Sequence, residues 1–228
     1  MTRAELARMI DHSVLKPEAT ERDIRAGADV VRSWQIGFYC VQPCWIAAAV
    51  DALAGTDALV VAVVGFPHGC DRAEVKARAA AIAAGEGAGE IDMVMNFGAL
   101  KSDDAVTVGA DIAAVVRAAT GIPVKVILET TVLTDVEKRV ACRLARDAGA
   151  RFVKTSTGFH PSGGATAADV RLLRATVGPA FGVKASGGIR SLTDAQAMID
   201  AGANRIGTSA SAAILGAIGP VEGTLARS

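Results

Sequence analysis

Two lysines stand where water would be expected to hold them. "FVKTSTGF" at residues 152–159 and "FGVKASGGIR" at 181–190 each run from an apolar stretch into a lysine, Lys154 and Lys184, followed by small and hydroxylated residues. A single lysine at a strand end reaches solvent, its stem covering apolar wall. Two on neighbouring inward-facing strands oppose each other, by about 2.8 kcal/mol for ammonium groups roughly 6 Å apart at an effective dielectric of about 20. Repulsion and desolvation both favour loss of a proton from one of them. A neutral amine is a nucleophile suited to imine formation with a carbonyl, so the pair reads as one nucleophile and one tuner.

Other polar residues fall in or at the end of similar runs. Asp92 in "EIDMVMN" suits either a satisfied core carboxylate or a proton shuttle beside the amines. Asp11 is read as ending the first run, and Glu129 closes the fifth, where it is expected to pair with a cation or to support the site. Gly187 and Gly188 would let backbone amides approach a ligand, and Gly207, Thr208 and Ser209 precede a helix start. These two loops read as an anion site, with ordinary tight turns as the plainer alternative. His68 in "GFPHG" reads as a hydrogen-bonded loop group. Cys40, Cys44 and Cys70 lack the spacing of a zinc site and read as buried wall, so no metal is expected.

The elements that must carry these residues recur at a regular interval. Eight short runs, "MIDHSVL", "GFYCV", "LVVAVVGF", "EIDMVMN", "VKVILET", "RFVKTS", "GVKASG" and "NRIGTS", alternate with alanine-rich segments of helical period. Such runs suit parallel strands buried on both faces. "TDVE" at 134–137 is a capping box, with Val136, Val140 and Leu144 as the expected apolar stripe and Gly149 as the helix stop. "TAAD" at 166 and "SLTD" at 191 are weaker openings of the same kind. The spacing predicts a (β/α)8 barrel as a single domain over residues 1–228, with residues 1 to 9 as an extra leading helix. An open doubly wound sheet is the rival, but no GxGxxG follows the first run. In a barrel, chemistry collects at the carboxyl ends of the strands and phosphate at the loops after the seventh and eighth.

Composition narrows the function classes. The 228-residue chain has 24 basic and 24 acidic side chains, so no global field suggests nucleic acid or an anionic membrane. The start "MTRAELARMIDHS" reads as an amphipathic helix, not a signal peptide, and Asp51, Gly55 and Asp57 break the greasiest stretch. Four cysteines without scaffold spacing suit a reducing cytoplasm. From the residues alone the chain is a phosphate-binding barrel with a possible imine lysine. Another lysine aldolase, an isomerase with no covalent step and a sugar-phosphate sensor all remain open.

Taken together, "IDHSVLKPEAT", "GFPHG", "EIDMVMNFGALK", "FVKTSTGF", "GGAT", "VKASGGIR" and "RIGTSAS" resemble the deoxyribose-phosphate aldolase family, in its shorter bacterial and archaeal form, from about residue 9 to 216. The resemblance implies a metal-free, cofactor-free class I aldolase that cleaves 2-deoxy-D-ribose 5-phosphate reversibly to acetaldehyde and D-glyceraldehyde 3-phosphate. It implies Lys154 as the Schiff-base lysine, Lys184 as the lysine that tunes it and joins the proton relay, Asp92 as the acid–base aspartate and Asp11 as its support. It places Gly158, Gly187, Gly188, Gly207 and Ser209 at the phosphate and Thr157 beside the substrate chain, and it suggests a homodimer or homotetramer. Two features depart from part of the family. Phe159 stands where some members have a phosphate-assisting lysine. Tyr39 is the only tyrosine, and the tail reads "GTLARS" where some members end in a mobile tyrosine.

Overall fold

The structure is a computed structural model that describes residues 1–219. Its strands are β1 (Ile10–Val14), β2 (Phe38–Val41), β3 (Leu59–Val64), β4 (Glu90–Val94), β5 (Val124–Ile127), β6 (Phe152–Lys154), β7 (Gly182–Ser186) and β8 (Arg205–Thr208). The helices are α1 (Arg3–Met9), α2 (Glu21–Trp34), α3 (Ile46–Ala52), α4 (Ala73–Gly85), α5 (Phe97–Lys101), α6 (Ala105–Ala118), α7 (Asp135–Asp147), α8 (Ala167–Val177), α9 (Leu192–Asp200) and α10 (Ser211–Gly216). All strand pairs are parallel, and β8 closes on β1 through Ile10–Ile206 and Asp11–Gly207. The chain therefore forms the (β/α)8 barrel that its periodicity predicts, with α1 as the leading helix. No described helix is long and apolar enough to cross a membrane.

Helix ends follow the expected chemistry. Thr134 and Glu137 form a reciprocal capping box, and Ser191 with Asp194 forms another, while Thr166 caps from one side only. Gly149 takes the left-handed conformation after α7 (φ 88°). The apolar stripe of α7 lies elsewhere than expected. Val136 is 68% exposed, and the barrel-facing side is Lys138, Ala141, Cys142 and Ala145. Small side chains are favoured where the helix lies on the sheet, and Lys138 pairs with Asp169 of α8 at 2.6 Å. Val140 and Leu144 pack half-buried on the flank of the helix.

Strand alternation divides the core in two. Outward residues such as Val60, Ala62, Ile91, Met93, Val126, Val153, Val183 and Ile206 join the helices in one large apolar layer. Each fully buried Val, Leu or Ile contributes about 1.5–3 kcal/mol there. The barrel interior is different. Its apolar side chains include Leu15, Cys40, Val61 and Val63, with Phe38 and Phe66 alongside. Alternation and register then stack Phe38, Glu90, Phe152 and Arg205 at the amino-terminal floor. Asp11, Val61, Lys125 and Lys184 lie above them, and Cys40, Asp92, Lys154 and Gly207 above those. Barrels of this class usually fill such layers with branched apolar residues. Here most of the interior is ionic.

Candidate active site

The strands bring Lys154 and Lys184 onto one carboxylate oxygen. Asp92 Oδ2 accepts from Lys154 Nζ at 2.8 Å and from Lys184 Nζ at 2.7 Å, and Asp92 Oδ1 accepts from Lys125 Nζ at 2.8 Å. Lys184 Nζ also donates to Asp11 Oδ2. All of these groups are at most 2% exposed. The two lysines therefore face one interior, as their strands' adjacency suggests. Their relation is more than bare repulsion, because carboxylates stand between them.

The two amines differ in their carboxylate contacts. Burial alone works against an ammonium at Lys184, but the fields of Asp11 and Asp92 outweigh it and hold that amine above the ordinary lysine range. Lys154 touches a single carboxylate. Burial works against ionised Asp92 too, yet Lys125, Lys154 and Lys184 hold it well below the usual carboxylate range. Asp11 is held down in the same way by Lys184, Lys125 and Arg205, against the cost of its burial. Cys40, at the same level, is pushed up to about 11, first by burial and then by the charge of Asp92, so it stays a thiol.

A cavity of about 840 Å³ opens above these groups at the carboxyl ends of the strands, lined among others by Lys154, Lys184, Thr157 and Ser209. The loops after β6 and β7 meet there through glycines. Gly158, Gly187 and Gly188 have positive φ (81°, 90° and 80°), and a Cβ on Gly187 would stand 3.0 Å from Gly164 Cα and 3.2 Å from Gly158 Cα. The N–H groups of Gly187, Gly188 and Ser209 have no acceptor among the described residues. The helix that follows Ser209, α10, is only six residues long, so converging amides are the stronger anion feature. Gly207 also lines the cavity, and its smallness has a packing consequence. A Cβ there would come 2.8 Å from Ser186 Cβ and 3.0 Å from Lys184 Cε, so its smallness gives the Lys184 stem its path.

Some residues behave otherwise than the sequence suggested. Asp11 lies deep in β1, below the strand end. Glu129 has no cation partner among the described residues. It is buried with φ 57°, and its Oε2 accepts from Thr157 Oγ1 at 2.5 Å and from Thr157 N at 3.3 Å. That contact holds the loop after β6. Cys40 is buried, but Cys44 and Cys70 are exposed, so they are not wall. His68 is exposed. Among the described residues no group of three or more His, Cys, Asp or Glu is arranged to hold a metal ion. The tail "GTLARS" lies outside the described residues.

Several polar residues escaped the sequence reading altogether. Lys125 pairs with Glu90 at 2.6 Å, and Arg205 pairs with Glu90 and Asp11, each at 3.0 Å. Arg205 also lies over the Phe38 ring, 3.3 Å from its centroid. Lys16 and Arg190 line the cavity mouth and supply cations that the Phe159 position lacks. The available signal was parity. Glu90 shares its strand face with Asp92, and Arg205 shares its face with Gly207.

Comparison with known proteins agrees with this architecture. The chain matches the DeoC/LacD family aldolase over residues 6–219. It is 55% identical over 212 residues to the deoxyribose-phosphate aldolase of Enterococcus faecalis, covering 92% of this chain and 96% of that one. It is 54% identical over 211 residues to that of Streptococcus sanguinis, with the same coverage. Among solved structures, the tetrameric deoxyribose phosphate aldolase of Aeropyrum pernix superposes with a TM-score of 0.86 at 33% identity, covering 95% of this chain and 92% of that one. By that match and those identities, this chain belongs to the DeoC/LacD family of aldolases.

Proposed function

We propose that the protein is a Schiff-base deoxyribose-phosphate aldolase, converting 2-deoxy-D-ribose 5-phosphate reversibly into acetaldehyde and D-glyceraldehyde 3-phosphate in deoxyribonucleotide breakdown. The observation that carries this reading is the meeting of Lys154 and Lys184 on Asp92 Oδ2 beneath an open cavity. Lys184 contacts two carboxylates and stays an ammonium, which makes Lys154 the amine free to act as nucleophile.

In the cleavage direction, Lys154 Nζ adds to the aldehyde carbon of the open-chain sugar, and loss of water leaves an iminium. Asp92, held in place by the Lys184 ammonium, takes the proton from the hydroxyl on the third carbon through a water molecule. The bond between the second and third carbons breaks, its electron pair moving toward the iminium nitrogen. Glyceraldehyde phosphate leaves, and the enamine is protonated on carbon and hydrolysed to acetaldehyde, restoring the Lys154 amine. Asp11 supports the relay through its contact with Lys184. The free amides of Gly187, Gly188 and Ser209, with Arg190 and Lys16, hold the phosphate. Gly158 and Gly207 shape the walls and Thr157 flanks the sugar chain. Binding the phosphate far from the breaking bond aids the chemistry by orientation.

The test is borohydride reduction in the presence of acetaldehyde, followed by peptide mass mapping. A two-carbon adduct on Lys154 is expected, and Lys154→Leu should keep its fold, form no such adduct and retain less than about one ten-thousandth of wild-type activity, a loss beyond that of one acid–base group. Turnover surviving in that variant rejects the Schiff-base route.

A further inference from the structure

The ion-paired groups inside the barrel number one more cation than anion, and the remaining buried carboxylate there, Glu129, is turned to Thr157. Lys125, Lys154, Lys184 and Arg205 face Asp11, Glu90 and Asp92, all at most 8% exposed. Fully ionised, these residues leave one positive charge uncompensated where solvent screening is weak. One neutral amine removes the excess. The amines differ in how many carboxylates they touch. Lys125 lies within 4 Å of Asp11, Glu90 and Asp92, Lys184 of Asp11 and Asp92, and Lys154 of Asp92 alone.

We propose that Glu90, Lys125 and Arg205, which lie below the reacting amine and do not line the cavity, are positioning residues whose summed charge sets the protonation state of Lys154. Lys125 occupies Asp92 Oδ1, which leaves Oδ2 to Lys154 and Lys184. Arg205 bridges Glu90 to Asp11 and is fixed against Phe38. The control of Lys154 is then a property of the whole interior and not of Lys184 by itself. Every strand facing the amine is accounted for. Asp11 comes from β1, the Cys40 thiol from β2, Glu90 and Asp92 from β4, Lys125 from β5, Lys184 from β7 and Arg205 from β8, while β3 presents Val61 and Val63. Glu129, just after β5, is turned to Thr157.

This inference rests on Lys154 being the imine-forming residue, and the test separates the two ideas. The rate of adduct formation on Lys154 with acetaldehyde and cyanoborohydride is followed against pH by peptide mass. Removing a nearby anion with Glu90→Gln destabilises the ammonium, so the midpoint of the curve should fall by about one pH unit. Removing a nearby cation with Lys125→Met should raise it by a similar amount, and the double variant should return close to wild type. A merely structural role predicts no opposed shifts and no compensation. Unmoved midpoints, or shifts in the same direction, overturn the proposal while leaving the Schiff base intact. Should Lys125→Met fail to fold, Glu90→Gln decides alone, and a midpoint that stays or rises rejects it. No adduct on wild-type Lys154 removes both readings.

Discussion

Asp92 is the residue on which the interior depends, because three lysines share its two oxygens. Asp92→Asn leaves those amines facing a neutral amide. Activity should fall about 10²–10⁴-fold, the usual worth of an acid–base group. Removing one partner of a buried ion pair also costs about 3–5 kcal/mol, because the other charge stays behind. Steady-state kinetics and urea unfolding measure the two effects, and a stable, active Asp92→Asn protein would contradict both. Glu129 shows how a strand-end carboxylate can be misread from sequence. Its partner is a threonine hydroxyl and amide 28 residues away, and no local pattern encodes that meeting.

At the scale of elements, β7 and β8 approach so closely that Lys184 needs a glycine beside it. In Gly207→Ala the new methyl must push the Lys184 stem or Ser186 aside. Misplacement of about 1 Å can cost on the order of 10²-fold, so kcat should fall about 10- to 100-fold while far-UV circular dichroism stays unchanged. Equal kcat would show that the stem adapts. The element boundaries were legible because they rest on local chemistry, such as the capping boxes of Thr134 and Ser191. The buried face of α7 was not legible, because it depends on which neighbours the helix meets.

For the whole molecule, stability should depend on pH in two windows. His12 is buried, hydrogen-bonded to Ser211 Oγ at 2.8 Å, and burial lowers its pKa from 6.5 to about 4. The unfolded chain therefore takes up this proton first. The contribution is complete above about pH 6.5 and is lost as pH falls from there to about 4, by ~3 kcal/mol. Asp11 and Asp92 are both held below 3.8, so their share persists above that value and is lost in more acidic solution. Urea unfolding across pH should show both slopes, and His12→Phe should remove only the upper one. Val75 and Ile82 lie exposed seven residues apart on the outer face of α4, 56% and 45% accessible. An exposed apolar face of this kind favours self-association. Light scattering should give a dimer or tetramer, and a mass of 23.2 kDa would reject it.

The sequence by itself determined the eight strands and their order, the parallel architecture, and the runs that carry Lys154, Lys184 and Asp92. Each rests on period, capping or composition within a few neighbouring residues. Only the tertiary structure decided that the polar face of several strands turns inward. Alternation in "EID" or "NRIG" looks the same whether a strand's polar side meets water or the strands opposite. Closing eight strands into a ring removes the water from that side, so Glu90, Lys125 and Arg205 must find partners across the barrel. Those partners are up to 194 positions away along the chain, as Arg205 is from Asp11, and such distances carry no local signal.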